Sequence, residues 1–180
     1  MPREGYAGKA YWPAGQSGVT LDPGIDLGYA AAALVEQLYT PILSAEQLAA
    51  VQSVYGMKGE AAKAALDSNA TLQGIRISRA QSDEIFPYAA EPYWNAIVKR
   101  FPTLANADTP GSVQTALLSL AYNRGAGNRG LRVLGQPLED KNWAEIADLI
   151  GNMQQDHQLQ GIRRRRRMEA DLIRQELGVA

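Results

Sequence analysis

Residues 17–28 read SGVTLDPGIDLG, and here alone apolar and polar residues alternate instead of recurring at helical spacing. Val19, Leu21 and Ile25 stand at odd positions, Thr20, Asp22 and Asp26 at even ones. An extended chain with that alternation carries the two sets on opposite faces. Pro23-Gly24 reads as a turn, because proline presets φ and glycine reaches positive φ, and Gly18 is read as turn chemistry too. The expectation is a glycine-rich β-hairpin. Whether the turn keeps the three oxygen-bearing side chains on one face stays open, and a hairpin whose polar residues simply face water is the competing reading.

The rest of the chain reads as helices. LGYAAAALVEQLYT (27–40) is alanine-rich and stops before Pro41. SAEQLAAVQSVYG (44–56) opens with Ser44 and Gln47 three residues on, a capping-box pattern, and ends at Gly56. KGEAAKAALDSN (58–69) is a shorter candidate. Residues 78–101 have a helical pattern that Pro87 and Pro92 are expected to kink or split. Residues 109–127 place Val113, Leu117 and Leu120 on one helical face, with a stop at Gly125 to Gly127. Residues 142–153 and 161–178 complete the set. The expected class is therefore α+β, mainly α-helical.

Composition removes several kinds of function. At 180 residues and 46% hydrophobic, the chain is long enough to bury a real core. It has no cysteine, so it offers no disulfide, thiol nucleophile or cysteine metal site. His157 is the only histidine and reads as a solvated loop residue; no metal or cofactor is expected. The net charge of −1 supplies no field toward nucleic acid. The run RRRRR (163–167) does not change this, because consecutive helical residues step about 100° around the cylinder and make no stripe. It reads as an arginine-dressed surface helix, with Ile162, Met168 and Leu172 as its core edge. Tyr88, Tyr93 and Trp94 read as core aromatics. No apolar run approaches the roughly 20 residues of a membrane span, and the first residues lack the apolar centre of a secretory signal. The expectation is synthesis in the cytoplasm, with any action outside following release or delivery by another system.

Acids near a glycine-rich hairpin have a chemistry open to a chain so poor in cysteine and histidine. Glycosidic hydrolysis needs one carboxylic acid to protonate the leaving oxygen and a second oxygen-bearing group to direct water or stabilise the oxocarbenium-like transition state. Glu4, followed by Thr20, Asp22 and Asp26, is a candidate set.

EGYAGKAYWPAGQSGVTLDPGIDLG resembles the opening of the phage-type lysozymes, glycoside hydrolase family 24, where E-G, A-Y and a G-x-x-T-[IL]-G-x-G hairpin follow in order. ALLSLAYNRGAG (116–127) resembles that family's helix ending in [FY]-N-x-G-x-G. GIRRRRRMEADLI (161–173) resembles its pattern G-[LI]-x-x-R-R-x-x-E-A-x-L. The three blocks span nearly the whole chain. Three departures mark a branch: Pro13 stands where these lysozymes usually carry an aspartate, Asp22 replaces a hairpin glycine, and an additional aspartate, Asp26, sits six residues after Thr20. SGVTLDPGIDLG is closer to the pesticin-like muramidases, whose hairpin reads S-G-V-T-[IL]-G-x-G-x-D-L-G.

The resemblance implies a lysozyme-like domain over 1–180, with a hairpin lobe over about 1–70, a larger helical lobe over about 71–180 and a sugar-binding cleft between them. It implies cleavage between N-acetylmuramic acid and N-acetylglucosamine, with inversion at the anomeric carbon. By position, Glu4 becomes the general acid, Asp26 the second carboxylate and Thr20 the hydroxyl near the attacking water. Asp22, Tyr122 and Asn123 are substrate-binding candidates. All but Glu4 have a plainer reading: Asp22 as a turn initiator before Pro23, Asp26 as a helix cap near 26–28, Thr20 as a β-branched strand residue, Tyr122 and Asn123 as part of a helix C-cap. The expected partner is a peptidoglycan strand, met by a monomer without membrane insertion or nucleic acid. The alternative is a wall-binding or toxin-delivery domain of the same fold that has lost catalysis.

Overall fold

Turn chemistry at Pro23-Gly24 folds the alternating stretch back on itself. A computed structural model describes residues 6–158 and 160–178. In it, β1 (Thr20–Leu21) pairs antiparallel with β2 (Ile25–Asp26), with Thr20 opposite Asp26 and Leu21 opposite Ile25. Gly24 takes φ +106° and donates its N–H to the Leu21 carbonyl at 2.8 Å. Val19, Leu21, Ile25 and Leu27 are all at most 2% exposed, so the odd positions enter the core.

Among the described residues the fold is mainly helical, with this one two-stranded sheet. The α-helices are α1 (Ala32–Tyr39), α2 (Ala45–Gln52), α3 (Gly59–Ser68), α4 (Ala70–Gly74), α5 (Arg79–Arg100), α6 (Gly111–Arg124), α7 (Gly135–Glu139), α8 (Trp143–Asn152) and α9 (Gln160–Leu177). Short 3-10 turns cover Pro102–Ala105 and Arg129–Leu134. None of the described helices is long and apolar enough to cross a membrane.

Contacts group the described chain into two units, 6–89 and 90–178. In the first, the apolar face of the hairpin packs with Val35, Leu38 and Tyr39 of α1, Val51 of α2 and Leu72 of α4. The capping box at α2 forms as its sequence predicts: Gln47 N–H donates to Ser44 Oγ at 3.2 Å, and Ser44 N–H donates to Gln47 Oε1 at 3.1 Å. In the second unit, α9 packs on α8 and α6 around Leu117, Leu120, Ile146, Ile150 and Ile173. Gly125 ends α6 at φ +79°.

Four readings from sequence change. Helix α5 runs from Arg79 to Arg100 as one element through Pro87 and Pro92. Each proline removes one i→i−4 hydrogen bond, and burial of Ile85 and Ala89 in one core and Ile97 in the other offsets the loss. Helix α1 begins at Ala32 rather than near residue 27, because Asp26 to Ala31 are used in the end of the hairpin and a turn. Tyr88 is 55% exposed, not core, whereas Tyr93 and Trp94 pack against the second cluster. The arginine helix does not bury Met168, which is 41% exposed; its inward face carries Arg166, Glu169, Ala170 and Ile173, each 0% exposed.

Candidate active site

The hairpin is built around the carboxylate of Asp26. Thr20 exchanges both backbone hydrogen bonds with Tyr11: Thr20 N–H donates to the Tyr11 carbonyl at 2.8 Å and Tyr11 N–H to the Thr20 carbonyl at 3.1 Å. Thr20 and Asp26 are thus a non-hydrogen-bonded pair, the kind whose Cα atoms stand about 4.5 Å apart with side chains adjacent on one face. The turn preserves the phase, and these two candidates share a face.

Asp26 Oδ1 accepts the backbone N–H of Gly18 and of Gly28, each at 2.9 Å. Its other oxygen accepts no hydrogen bond from the described residues. The glycines are required by closeness. A Cβ on Gly18 would lie under 3.0 Å from Asp26 Oδ1 and from the Gly28 backbone. One on Gly28 would lie 2.7 Å from the Met57 carbonyl. Gly18 therefore serves close approach rather than the turn chemistry its sequence reading assigned. Nor does Asp26 cap a helix: α1 starts at Ala32 with no side-chain cap. Thr20 is 4% exposed, and its hydroxyl makes only a long 3.5 Å contact to the Gly18 carbonyl.

Asp22 is placed differently. It is 2% exposed and accepts the backbone N–H groups of Ala7 at 3.1 Å and Gly8 at 2.5 Å, one on each oxygen. Its own carbonyl accepts the Tyr39 hydroxyl at 2.9 Å. Asp22 thus ties the N-terminal segment to the hairpin. Other bonds hold the same segment: Ile77 N–H donates to the Gly8 carbonyl, Tyr6 Oη donates to the Ile77 carbonyl at 2.7 Å, and Lys9 bridges to Arg76. Glu4, three residues before Ala7 in sequence, lies outside the described residues.

No protein-family model matches the chain, and no curated protein matches it in sequence. The lysozyme resemblance rests on the motifs themselves.

In the second unit, Asn123 and Tyr122 occupy the last turn of α6. The Tyr122 ring lies 4.7 Å from that of Tyr93, tilted by 48°. Asn123 is exposed, and its Oδ1 accepts Arg166 Nη2 at 3.2 Å. Arg166 Nη2 also lies 3.1 Å from Glu169 Oε1. That oxygen accepts Arg165 Nε at 3.2 Å and the Ser119 hydroxyl, while Arg165 Nη2 donates to the Ser119 carbonyl at 3.2 Å. Burial holds the Glu169 carboxyl above its ordinary range, against the opposing pull of Arg166, Ser119 and Arg165. The loop beyond Asn123 is pinned as well, since Arg100 Nη1 donates to the carbonyls of Ala126 at 2.5 Å and Asn128 at 2.8 Å.

Sequence reasoning missed this network. The available signal was spacing: Arg165 and Arg166 stand four and three residues before Glu169 on one helix, where side chains meet.

Proposed function

We propose that the chain is a peptidoglycan-degrading muramidase, hydrolysing the bond between N-acetylmuramic acid and N-acetylglucosamine with water as acceptor. The observation that carries this reading is the state of Asp26. Two backbone amides hold one carboxylate oxygen, the other accepts nothing from the described residues, and Thr20 sits opposite. A carboxylate held this way is aimed, and its open oxygen can accept a proton from an attacking water. Glu4 protonates the leaving glycosidic oxygen, Asp26 takes the proton of the water, and Thr20 helps to place that water. The three motif blocks of the phage-type lysozymes, in order along the chain, support the same assignment. Inversion requires the two carboxyls to stand about 6.5–9.5 Å apart so that water fits between them. The protein works as a monomer on the glycan strand, without metal or cofactor, after delivery to the wall.

The test is peptidoglycan turnover by the wild type beside Glu4→Gln and Asp26→Asn, with fragments identified by mass spectrometry. New reducing N-acetylmuramic ends are expected from the wild type. Each near-isosteric change is expected to lower turnover by about 10²–10⁴-fold. Full turnover by the Asp26→Asn variant would remove Asp26 from the mechanism. Wall binding without turnover by any of the three proteins would replace this reading with the binding-module alternative.

A further inference from the structure

Arg166 and Glu169 are charged, adjacent and 0% exposed on one helix. A buried ion pair is a poor device for stability, because desolvating two charges offsets most of their attraction. This pair does something an apolar pair cannot. Arg166 reaches from α9 to α6 and donates to Oδ1 of Asn123, an exposed residue on the last turn of that helix.

Guanidinium has donors and no acceptor, so the Asn123 amide must turn its oxygen toward Arg166 and its Nδ2 away. Glu169 Oε1 fixes the Nη2 group of Arg166, and the Ser119 hydroxyl and Arg165 fix that same carboxylate oxygen. Arg100 holds the backbone just beyond, at Ala126 and Asn128. An exposed amide with a specified orientation thus stands on a preorganised support.

We propose that Arg166 is a positioning residue for Asn123, which presents Nδ2 as a fixed hydrogen-bond donor to the N-acetyl carbonyl of a wall sugar. This inference rests on the muramidase reading. The acetamido carbonyl recurs on every sugar of the strand and is a stronger acceptor than the ether oxygens of the rings and glycosidic links, which suits a donor that cannot flip.

The experiment compares N-acetylated peptidoglycan with chemically de-N-acetylated peptidoglycan, using the wild type, Asn123→Asp, Arg166→Lys and the double variant. Asn123→Asp keeps the acceptor facing Arg166 and exchanges the donor for an acceptor at an exposed position. It is expected to raise KM on the acetylated wall about tenfold, the scale of one hydrogen bond, and to cause no loss on the de-N-acetylated wall, whose ammonium groups the new carboxylate attracts. Arg166→Lys is expected to shift KM in the same direction, and that shift should vanish in the Asn123→Asp background. An unchanged KM for Asn123→Asp on the acetylated wall, or equal losses on both walls, overturns the proposal. So does an Arg166→Lys effect that persists in full in the double variant. If the wild type turns over neither wall, the muramidase reading itself has failed. Failure of the inference alone shows as an active wild type with an indifferent Asn123→Asp variant.

Discussion

Gly18 shows how much one missing side chain decides. Its N–H reaches Asp26 Oδ1 at 2.9 Å only because no Cβ stands between them. Gly18→Ala would place that atom under 3.0 Å from the carboxylate and from the Gly28 backbone, and the backbone atoms cannot yield as a side-chain end can. The Asp26 carboxylate must then move. A displacement on the order of 1 Å in a reacting group lowers rate by about 10²-fold, so peptidoglycan turnover by Gly18→Ala is expected to fall by that factor while circular dichroism stays native. Retained turnover would separate the Gly18 amide from the chemistry. Asp22 teaches the complementary lesson. A turn-initiating aspartate was legible before Pro23, but its amide partners, Ala7 and Gly8, lie 15 and 14 residues back along the chain. Residue type alone does not announce a partner at that distance.

At the scale of elements, helix α6 begins at Pro110-Gly111 with no side-chain N-cap of its own. Its open end is met by α9: Glu176 Oε2 accepts the Ser112 N–H at 2.6 Å, and hydrogen bonding to Ser112 holds the Glu176 carboxyl below its ordinary range. A carboxylate with a lowered folded pKa stabilises the fold fully above its unfolded pKa of about 4.3, and the contribution is lost as pH falls through the folded value. Glu176 is exposed, so screening keeps the gain small, about 0.3–1 kcal/mol. Glu176→Gln is expected to lower stability by that amount at pH 7 in chemical denaturation, and the difference from wild type should disappear under acid. A difference that survives below pH 3 would mean that charge at this helix end is irrelevant. The elements themselves were largely readable, because capping, turn residues and 3.6-residue spacing act locally: Ser44 with Gln47 predicted the start of α2, and Gly125 the end of α6. Helix α5 was misread because two prolines outweighed, in a local reading, the burial supplied by neighbours distant in sequence.

For the whole molecule, each unit holds its own apolar cluster, with Leu21 in one and Leu117 in the other, both 0% exposed. Truncating either to alanine is expected to lower stability by about 2–5 kcal/mol, read as a shift of the denaturation midpoint at constant slope. A shift below 1 kcal/mol at Leu21 would show that the hairpin is not packed as a core strand. Such a result would also loosen the support beneath Thr20 and Asp26.

The sequence by itself determined the mainly helical class, the hairpin around Pro23-Gly24 and the entry of its odd positions into a core, whereas the pairing of Thr20 with Asp26 decided that these two share a face. The first three follow from periodicity and turn chemistry, which need no knowledge of distant residues. Only the tertiary structure decided which arginine of RRRRR goes inward, which carboxylate oxygen two glycines hold, and which aspartate anchors residues 7 and 8. The physical reason is common to all three. A buried charge or carboxylate is stabilised by partners that folding brings to it, and at Arg166 the partners are Glu169 on its own helix and Asn123 on another.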